Sequence, residues 1–153
     1  MPQKSFIPVL RELARAYQAF EAYSAAHVRT LGLTPSQFDI VATLGNTNGM
    51  SFRELGEKTL ITKGTLTGVV DRLQFKNLVK RVASPSDGRS QIVKLTRKGE
   101  VLFDRIFPAH LSHVDQAFTD LSQAELDGME SVLRRLRAAF SAANTDFLTT
   151  AKE

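Results

Sequence analysis

The segment at residues 84–99, SPSDGRSQIVKLTRKG, decides the fold. Residues 85–88 are turn formers. They separate two short segments of strand-like composition, 78–83 and 91–95. The sequence therefore predicts a β-hairpin whose tip carries the tight basic turn Asp87-Gly88-Arg89.

Two short helical patterns precede this hairpin. Ser51 and Glu54 form a capping-box pattern that starts a helix over residues 51–59. Leu60 and Ile61 then form a brief apolar turn, and a second helix follows over residues 62–76. A hairpin that follows two short helices is the layout of a winged helix-turn-helix, a module that binds duplex DNA.

Longer helical patterns flank this central part. We predict a helix from Pro8 to Thr30, and further helices that begin at Thr34, Thr96 and Ser122, each with a capping residue. The predicted fold is mainly α with a small β-hairpin wing. The first and last helices each carry an apolar stripe that one small winged helix cannot cover. The stripes are Leu10, Leu13, Tyr17 and Phe20 in the first helix, and Leu126, Met129, Leu133, Leu136 and Phe140 in the last.

Composition limits the class of protein. The chain has 153 residues, which indicates one domain, and it contains no cysteine, which excludes disulfides, thiolate zinc sites and thiol redox sensing. No apolar run approaches the roughly 20 residues of a transmembrane helix. The N-terminal sequence does not resemble a signal peptide. We therefore expect a cytoplasmic protein without a membrane partner.

The basic residues are concentrated in the middle of the chain. Residues 51–99 contain 11 Lys and Arg against 4 Asp and Glu, whereas the remainder contains 9 against 12. A basic centre between slightly acidic ends favours a polyanionic partner such as double-stranded DNA. A solvated basic face without a partner is the alternative interpretation.

The second short helix is the candidate recognition helix. Small side chains near its N-terminus allow close approach to the major groove, threonine hydroxyls and methyls can contact base edges, and basic side chains can contact phosphates. The alternative interpretation is that the glycines serve packing and the threonines are solvated. The predicted DNA contacts in this part of the chain are Ser51, Thr62, Lys63, Thr65, Thr67, Gly68 and Arg72.

The hairpin tip supplies the other two predicted DNA-binding residues, Asp87 and Arg89. A guanidinium on a thin loop can enter a narrow minor groove. Asp87 either holds an arginine by a bidentate pair or makes an Asx-turn, and the two roles are compatible. Further phosphate affinity is expected from Lys80, Arg81, Lys94, Arg97 and Lys98.

These motifs resemble those of the MarR-type transcriptional regulators. The family's wing signature is an Asp-x-Arg turn followed by a strand that ends in Leu-Thr-x-x-Gly, and the matching positions are Asp87, Arg89, Leu95, Thr96 and Gly99. The segment LGEKTLITKGTLTGVVDRLQFKNLVKR is similar to the family's helix-turn-helix, and the order of helices agrees along nearly the whole chain.

The resemblance implies a homodimeric, sequence-specific DNA-binding regulator that recognises a pseudo-palindromic operator, with repression the expected effect. One domain over residues 1–153 would then contain a winged helix-turn-helix at 34–99 and dimerisation helices at 1–33 and 100–145. The resemblance also implies a small-molecule effector, aromatic or anionic, bound between these parts. Candidate effector contacts, each also compatible with an ordinary core position, are Tyr17, Phe20, Tyr23, Phe38, Phe107 and His110.

Two other functions remain as alternatives. His110 and His113 are three residues apart on one helix, a spacing that suits a metal-responsive regulator if His27 or Glu100 supplies a third ligand. A winged helix can also bind protein instead of DNA, although the basic wing argues against this. No catalytic motif is present, so we expect neither an enzyme, a cofactor nor a resident metal.

Overall fold

The computed structural model describes residues 5–59 and 61–151. Its elements confirm the predicted winged-helix fold class. In chain order they are α1 (Ile7–Thr30), α2 (Pro35–Leu44), β1 (Met50–Ser51), α3 (Phe52–Lys58), α4 (Lys63–Phe75), β2 (Val79–Ala83), β3 (Gln91–Leu95), α5 (Arg97–Asp115), a 3-10 helix (Gln116–Phe118) and α6 (Gln123–Thr150). No described helix combines the length and hydropathy needed to cross a bilayer.

The chain divides into two compact units, Met1–Val114 and Asp115–Glu153. The first contains α1 to α4, the sheet and nearly all of α5. The second contains the 3-10 helix and α6, which continues as a helix to Thr150, beyond the predicted boundary at residue 145.

Capping residues set the helix starts where the sequence predicts them. Thr34, Ser51 and Ser122 each accept a hydrogen bond from the backbone N–H three residues later, and a Gln or Glu side chain at that later position accepts from the cap's own N–H. These reciprocal bonds satisfy donors that would otherwise lack partners at the first turn. At the other end of α4, Asn77 adopts a positive φ of 59° and ends the helix.

The hairpin belongs to a three-stranded antiparallel sheet with strand order β1-β3-β2. The pairing of Val79 with Leu95 and of Ala83 with Gln91 confirms the predicted hairpin. The third strand, β1, is absent from the sequence-based expectation, because two residues are too few to show a strand period. Met50 of β1 pairs with Val93 of β3, and this pairing joins the sheet to the start of α3.

The core lies among α2, α3, α4, the sheet and the first half of α5. The apolar residues Val41, Leu44, Leu55, Leu66, Val69, Val70 and Leu73 are all buried. Ile40 is also completely buried, and Phe38 is half-buried against the same cluster. Of the predicted apolar turn, Leu60 lies outside the described residues, whereas Ile61 is buried.

Both predicted apolar stripes lie on the surface of their own unit. Every described residue of α1 up to Tyr23 is exposed, and Phe20 retains 50% of its accessible surface. In α6 no residue is buried, and Leu133 is 55% exposed. Helices with such stripes gain most of their stability in proteins by burying them.

Gly99, in the first turn of α5, allows this helix to pack tightly against the start of the wing. A Cβ atom at this position would lie 2.1 Å from the carbonyl oxygen of Leu78. The same carbonyl accepts a hydrogen bond of 3.1 Å from the N–H of Thr96, so it cannot move freely.

We therefore expect Gly99→Ala to lower the free energy of unfolding by about 1–3 kcal/mol, because the methyl group overpacks a backbone contact. Urea denaturation monitored by circular dichroism measures this change. Gly68→Ala in α4 is the matched control, because a Cβ there meets no atom within 4 Å, and alanine should stabilise the helix by about 0.5–1 kcal/mol. Equal destabilisation by both substitutions would contradict the packing role of Gly99.

Candidate nucleic-acid interface

The two faces of α4 differ in size and polarity of their side chains. Its buried face contains Leu66, Val69, Val70 and Leu73. The opposite face is exposed and carries the predicted contacts Thr62, Lys63, Thr65, Thr67, Gly68 and Arg72. Because the exposed face near the N-terminus lacks bulky side chains, the helix backbone can approach a groove of duplex DNA closely.

The first turn of α4 keeps free hydrogen-bonding groups. Thr62 occupies the predicted N-cap position, but its side chain makes no capping bond to the backbone. Its hydroxyl instead donates to Oγ1 of Thr65 at 3.2 Å. Backbone N–H groups at a helix start that lack a side-chain cap are suited to an anionic acceptor such as a phosphate.

Ser51 starts α3 and is held by the helix cap. Its Oγ accepts from the N–H of Glu54 at 3.1 Å, and its own N–H donates to Oε2 of Glu54 at 2.8 Å. Both the backbone and the side chain of Ser51 are therefore fixed in position at the start of the helix-turn-helix.

Asp87 shapes the tip of the wing. Its Oδ1 accepts from the backbone N–H of Arg89 at 3.1 Å, and its Oδ2 accepts from the hydroxyl of Ser90 at 3.0 Å. This geometry matches the Asx-turn alternative. No arginine among the described residues forms an ion pair with Asp87, so the predicted bidentate pair is not observed.

Arg89 lies at the tip with an exposed side chain. Within the described ranges its guanidinium has no acidic partner, while its backbone is fixed through Asp87. The turn thus fixes the backbone of Arg89 and leaves the charge of its guanidinium unneutralised.

Lys80 and Lys94 face each other across the wing. They are direct partners in the antiparallel register of β2 and β3. Like charges directly opposite each other destabilise a sheet, unless an anion lies against both. The pair therefore favours a polyanion on this face of the wing.

Arg81 has a structural role that the sequence analysis missed. Its guanidinium forms an ion pair with Asp71 of α4 at 2.6 Å, donates to Gln74, and lies 5.4 Å from the ring centroid of Phe52 in α3. The side chain is only 22% exposed. The guanidinium thus fastens the wing to both helices, and it is engaged within the chain in this arrangement.

Two other predicted phosphate ligands are also engaged within the chain. Lys98 donates from Nζ to the carbonyl oxygen of Lys76 at 3.1 Å, and Arg97 lies 3.5 Å from a carboxylate oxygen of Glu100. The first contact holds α5 to the end of α4. The second is an exposed ion pair of the kind that contributes little to stability.

An open cavity of about 980 Å³ borders the helix-turn-helix. Its wall includes four of the six effector candidates, Tyr17, Phe20, Phe38 and His110, together with Thr62 and Thr65 from the start of α4. The other two candidates are not part of this wall: Tyr23 stacks on His113, and Phe107 stacks on Phe103 with ring centroids 5.0 Å apart.

The fold brings His27 next to His110 and His113, as the metal hypothesis required. The rings, however, stack: His27 and His113 have centroids 4.2 Å apart and planes within 7° of parallel. Stacked rings do not direct their nitrogens toward a common ion. Over residues 5–59 and 61–151, no group of three or more His, Cys, Asp or Glu side chains is arranged to hold a metal ion.

Comparison with known proteins agrees with this geometry. Residues 31–90 match the model of the MarR family. The chain is 33% identical over 124 residues to the HTH-type transcriptional regulator MhqR of Bacillus subtilis (strain 168), an alignment that covers 81% of this chain and 86% of that protein.

Two solved structures share the fold. The first, from a study of the regulation of DNA binding of Bordetella bronchiseptica BpsR by 6-hydroxynicotinic acid, has a TM-score of 0.75 and 27% identity, covering 90% of this chain and 98% of the other. The second, Sco3205 of Streptomyces coelicolor in complex with DNA, has a TM-score of 0.76 and 25% identity, covering 86% and 85%. The chain therefore belongs to the MarR family and is a DNA-binding transcriptional regulator.

Proposed function

We propose that this protein binds a pseudo-palindromic operator as a homodimer, with one winged helix-turn-helix per half-site, and represses transcription there. The observation that carries the proposal is the combination of an exposed, small-residue face on α4 with an unpaired Arg89 on the adjoining wing. A two-fold axis would place the two copies of α4 about 34 Å apart, one turn of B-DNA.

We assign α4 to the major groove. Thr65 and Thr67 are exposed there and offer both a hydroxyl and a methyl group to base edges. Lys63 and Arg72 flank them and are suited to phosphate or guanine contacts. Gly68 supports close approach, because no atom lies within 4 Å of its open side.

We assign the wing tip to the minor groove. The Asx-turn at Asp87 defines the backbone on which Arg89 projects. A narrow minor groove has an enhanced negative potential that attracts an inserted guanidinium. Asp87 then contributes by positioning Arg89, and the paired lysines Lys80 and Lys94 contribute charge.

A second copy of the chain is the proposed partner of the two apolar stripes. The stripe on α1 is exposed in the single chain, as are Met129, Leu133 and Phe140 of the stripe on α6, and apolar patches of this kind mark interaction surfaces. We place the dimerisation helices at 1–33 and 100–145, around a winged helix at 34–99, within one domain over 1–153.

The cavity is the proposed effector site. Aromatic side chains at Tyr17, Phe20 and Phe38 suit a small aromatic ring, and Arg29 on the same wall suits an anionic substituent. An occupant would also contact Thr65, which we assign to DNA, so effector binding and operator binding compete. Release of a repressor by an aromatic acid follows from this overlap.

We also propose that the protein acts in the cytoplasm, where the chromosome is accessible, and that it does not catalyse a reaction. A dimer that occupies an operator blocks the polymerase by steric exclusion, which makes repression the simplest effect. On the cavity wall the hydroxyl of Ser24 lies 3.1 Å from Nε2 of His110, but the other ring nitrogen of His110 contacts His27, and no carboxylate among the described residues orients the ring, so we assign the cavity binding and not chemistry.

Selection of bound fragments from random-sequence duplex DNA tests this function. We expect enrichment of a pseudo-palindrome, and an affinity for it that falls steeply as salt rises, because phosphate contacts release counterions. Absence of enrichment together with an affinity that is insensitive to salt would instead support the alternative in which the winged helix binds protein.

Arg89→Ala should weaken binding to the selected duplex by about 1–3 kcal/mol and leave the dimer intact, because only the minor-groove contact is lost. Fluorescence anisotropy measures the affinity, and analytical ultracentrifugation measures the assembly. Arg15→Ala in α1 is the control, since that arginine pairs with Glu12 on the surface. Equal affinities of Arg89→Ala and wild type would exclude the proposed role of the wing.

Leu133→Asp should produce monomers or unfolded chain, because a carboxylate replaces an apolar side chain in the proposed α6 interface. Size-exclusion chromatography with light scattering measures the mass. Ser131→Asp introduces the same charge on the opposite face of α6 and should leave the dimer unchanged. A folded, fully dimeric Leu133→Asp protein would rule out this interface.

A further inference from the structure

All three histidines of the sequence lie in one cluster. His27 belongs to α1, and His110 and His113 belong to α5. We call these residues the histidine cluster. Nδ1 of His27 and Nδ1 of His110 lie 3.0 Å apart. The cluster is thus a polar contact between the two helices.

The contact between His27 and His110 depends on the number of protons that it holds. A hydrogen bond between two Nδ1 atoms needs one N–H donor and one lone pair. This condition is met when both rings are neutral, and also when one ring is an imidazolium. When both rings are imidazolium, both Nδ1 atoms carry hydrogen, and a separation of 3.0 Å becomes repulsive.

The other ring nitrogen of His110 can be satisfied whether His110 donates or accepts in the hydrogen bond to His27. Its Nε2 lies 3.1 Å from Oγ of Ser24, a hydroxyl that can donate or accept. The ring of His110 also makes an edge-type contact with the ring of Phe38 in α2, with centroids 4.6 Å apart. His110 itself is 6% exposed, so water cannot readily replace these contacts.

His113 makes additional charge in the cluster unfavourable. Its ring stacks between those of His27 and Tyr23, each at a centroid distance of 4.2 Å. Its Nε2 is buried and has no hydrogen-bond partner among the described residues. His113 therefore packs against His27 without offering a group that compensates a charge on it.

The environment of the cluster contains few compensating charges. Burial is the main cause that lowers the pKa of His110, and repulsion by His27 and His113 lowers it further. Burial and then His113 lower the pKa of His27. Glu21, Arg29 and Asp39 are the charged residues on the adjoining cavity wall, and none of them contributes to either lowered pKa.

The position of the cluster connects it to the recognition helix. His110 and Ser24 line the same cavity as Thr62 and Thr65, the first residues of the DNA-facing side of α4. A change in the contact between α1 and α5 therefore changes the shape of a cavity that the start of α4 helps to form.

We infer that the histidine cluster is a pH-sensitive switch: the contact between α1 and α5 holds while the His27–His110 pair carries at most one excess proton, and it breaks when both rings are charged. We further infer that breaking it weakens binding of DNA. The second step rests on the proposed function, whereas the first does not.

The sign of the effect follows from linkage. Because both pKa values are lowered on folding, the unfolded chain binds more protons than the folded chain below the ordinary histidine pKa of 6.5. The cluster therefore contributes its full stability above pH 6.5. That stability is lost as the pH falls from 6.5 through the lowered values.

His27→Asn is the decisive variant. The asparagine amide can donate or accept near the position of Nδ1, but it does not titrate, so His110 can become charged without a conflict. Tyr23→Phe is the matched control. It removes the hydrogen bond of 2.8 Å from the tyrosine hydroxyl to the carbonyl oxygen of His113, and it leaves the three imidazoles in place.

The first measurement uses the full chain without DNA. NMR titration of the imidazole resonances should give midpoints below 6.5 for His27 and His110 in the wild type. Between about pH 8 and about pH 5.5, the Tm of the wild type should fall more than the Tm of His27→Asn. Tyr23→Phe should have a lower Tm throughout and the same pH dependence as the wild type.

The second measurement uses a duplex selected from random-sequence DNA at about pH 8. On acidification at constant ionic strength, the wild type should lose affinity relative to His27→Asn, by up to about tenfold for each unit by which the pKa of the pair is lowered. Tyr23→Phe should follow the wild type.

Three results would overturn the inference. A midpoint at or above 6.5 for His110 removes the proton conflict, and this result does not depend on whether any variant folds. An equal fall of Tm in the wild type and His27→Asn excludes the switch. Parallel loss of DNA affinity in these two proteins excludes its coupling to DNA. Absence of DNA binding by every protein at pH 8 contradicts the proposed function instead, while titration and melting still decide the switch.

Discussion

The Arg81 guanidinium determines where the wing lies relative to the recognition helix. It joins β2 to α4 through Asp71 and Gln74, and to α3 through the ring of Phe52. DNA recognition by a winged helix requires α4 and Arg89 to reach two grooves at once, so their spacing must be fixed before DNA binds. A partly buried ion pair with a second hydrogen bond and an aromatic contact provides this constraint, which a flexible surface lysine does not. The arrangement also neutralises Asp71, an exposed acidic side chain on the helix that we assign to the major groove.

The sequence predicts the local features of this fold well, because their causes are local. The capping pairs that begin at Ser51 and Ser122 are read directly from residues three apart, and the structure contains both. The hairpin follows from turn formers between two strand-like segments, and the structure pairs these segments in antiparallel fashion. In the candidate interface, the exposure of Thr65, Thr67 and Arg89 follows from helical periodicity and from the turn.

Features that depend on distant parts of the chain could not be predicted in the same way. Arg81 and Asp71 are ten residues apart in different elements, and only the packing of β2 against α4 brings them together. A charge count assigns Arg81 to the basic face, although its side chain is mostly buried. The sequence did contain one signal for this ion pair. Asp71 is an acidic residue among the basic residues of α4, and it needs a cationic partner if that surface contacts DNA. His27 likewise lies more than 80 residues from His110, and no spacing rule connects them.

In the function that we propose, the cavity couples three equilibria because its wall is built from elements with separate partners. Thr62 and Thr65 belong to the surface assigned to DNA, Tyr17 and Phe20 belong to the exposed stripe of α1, and His110 belongs to the histidine cluster. A ligand that fills the cavity shifts the equilibrium between the DNA-bound and free arrangements only if it binds the two with different affinities. Protonation of His110 likewise affects DNA binding only if the proton affinity differs between these two arrangements. Because the three groups share one wall, a side chain that moves on one side of the cavity changes the space available to the others, and no long pathway between them is needed.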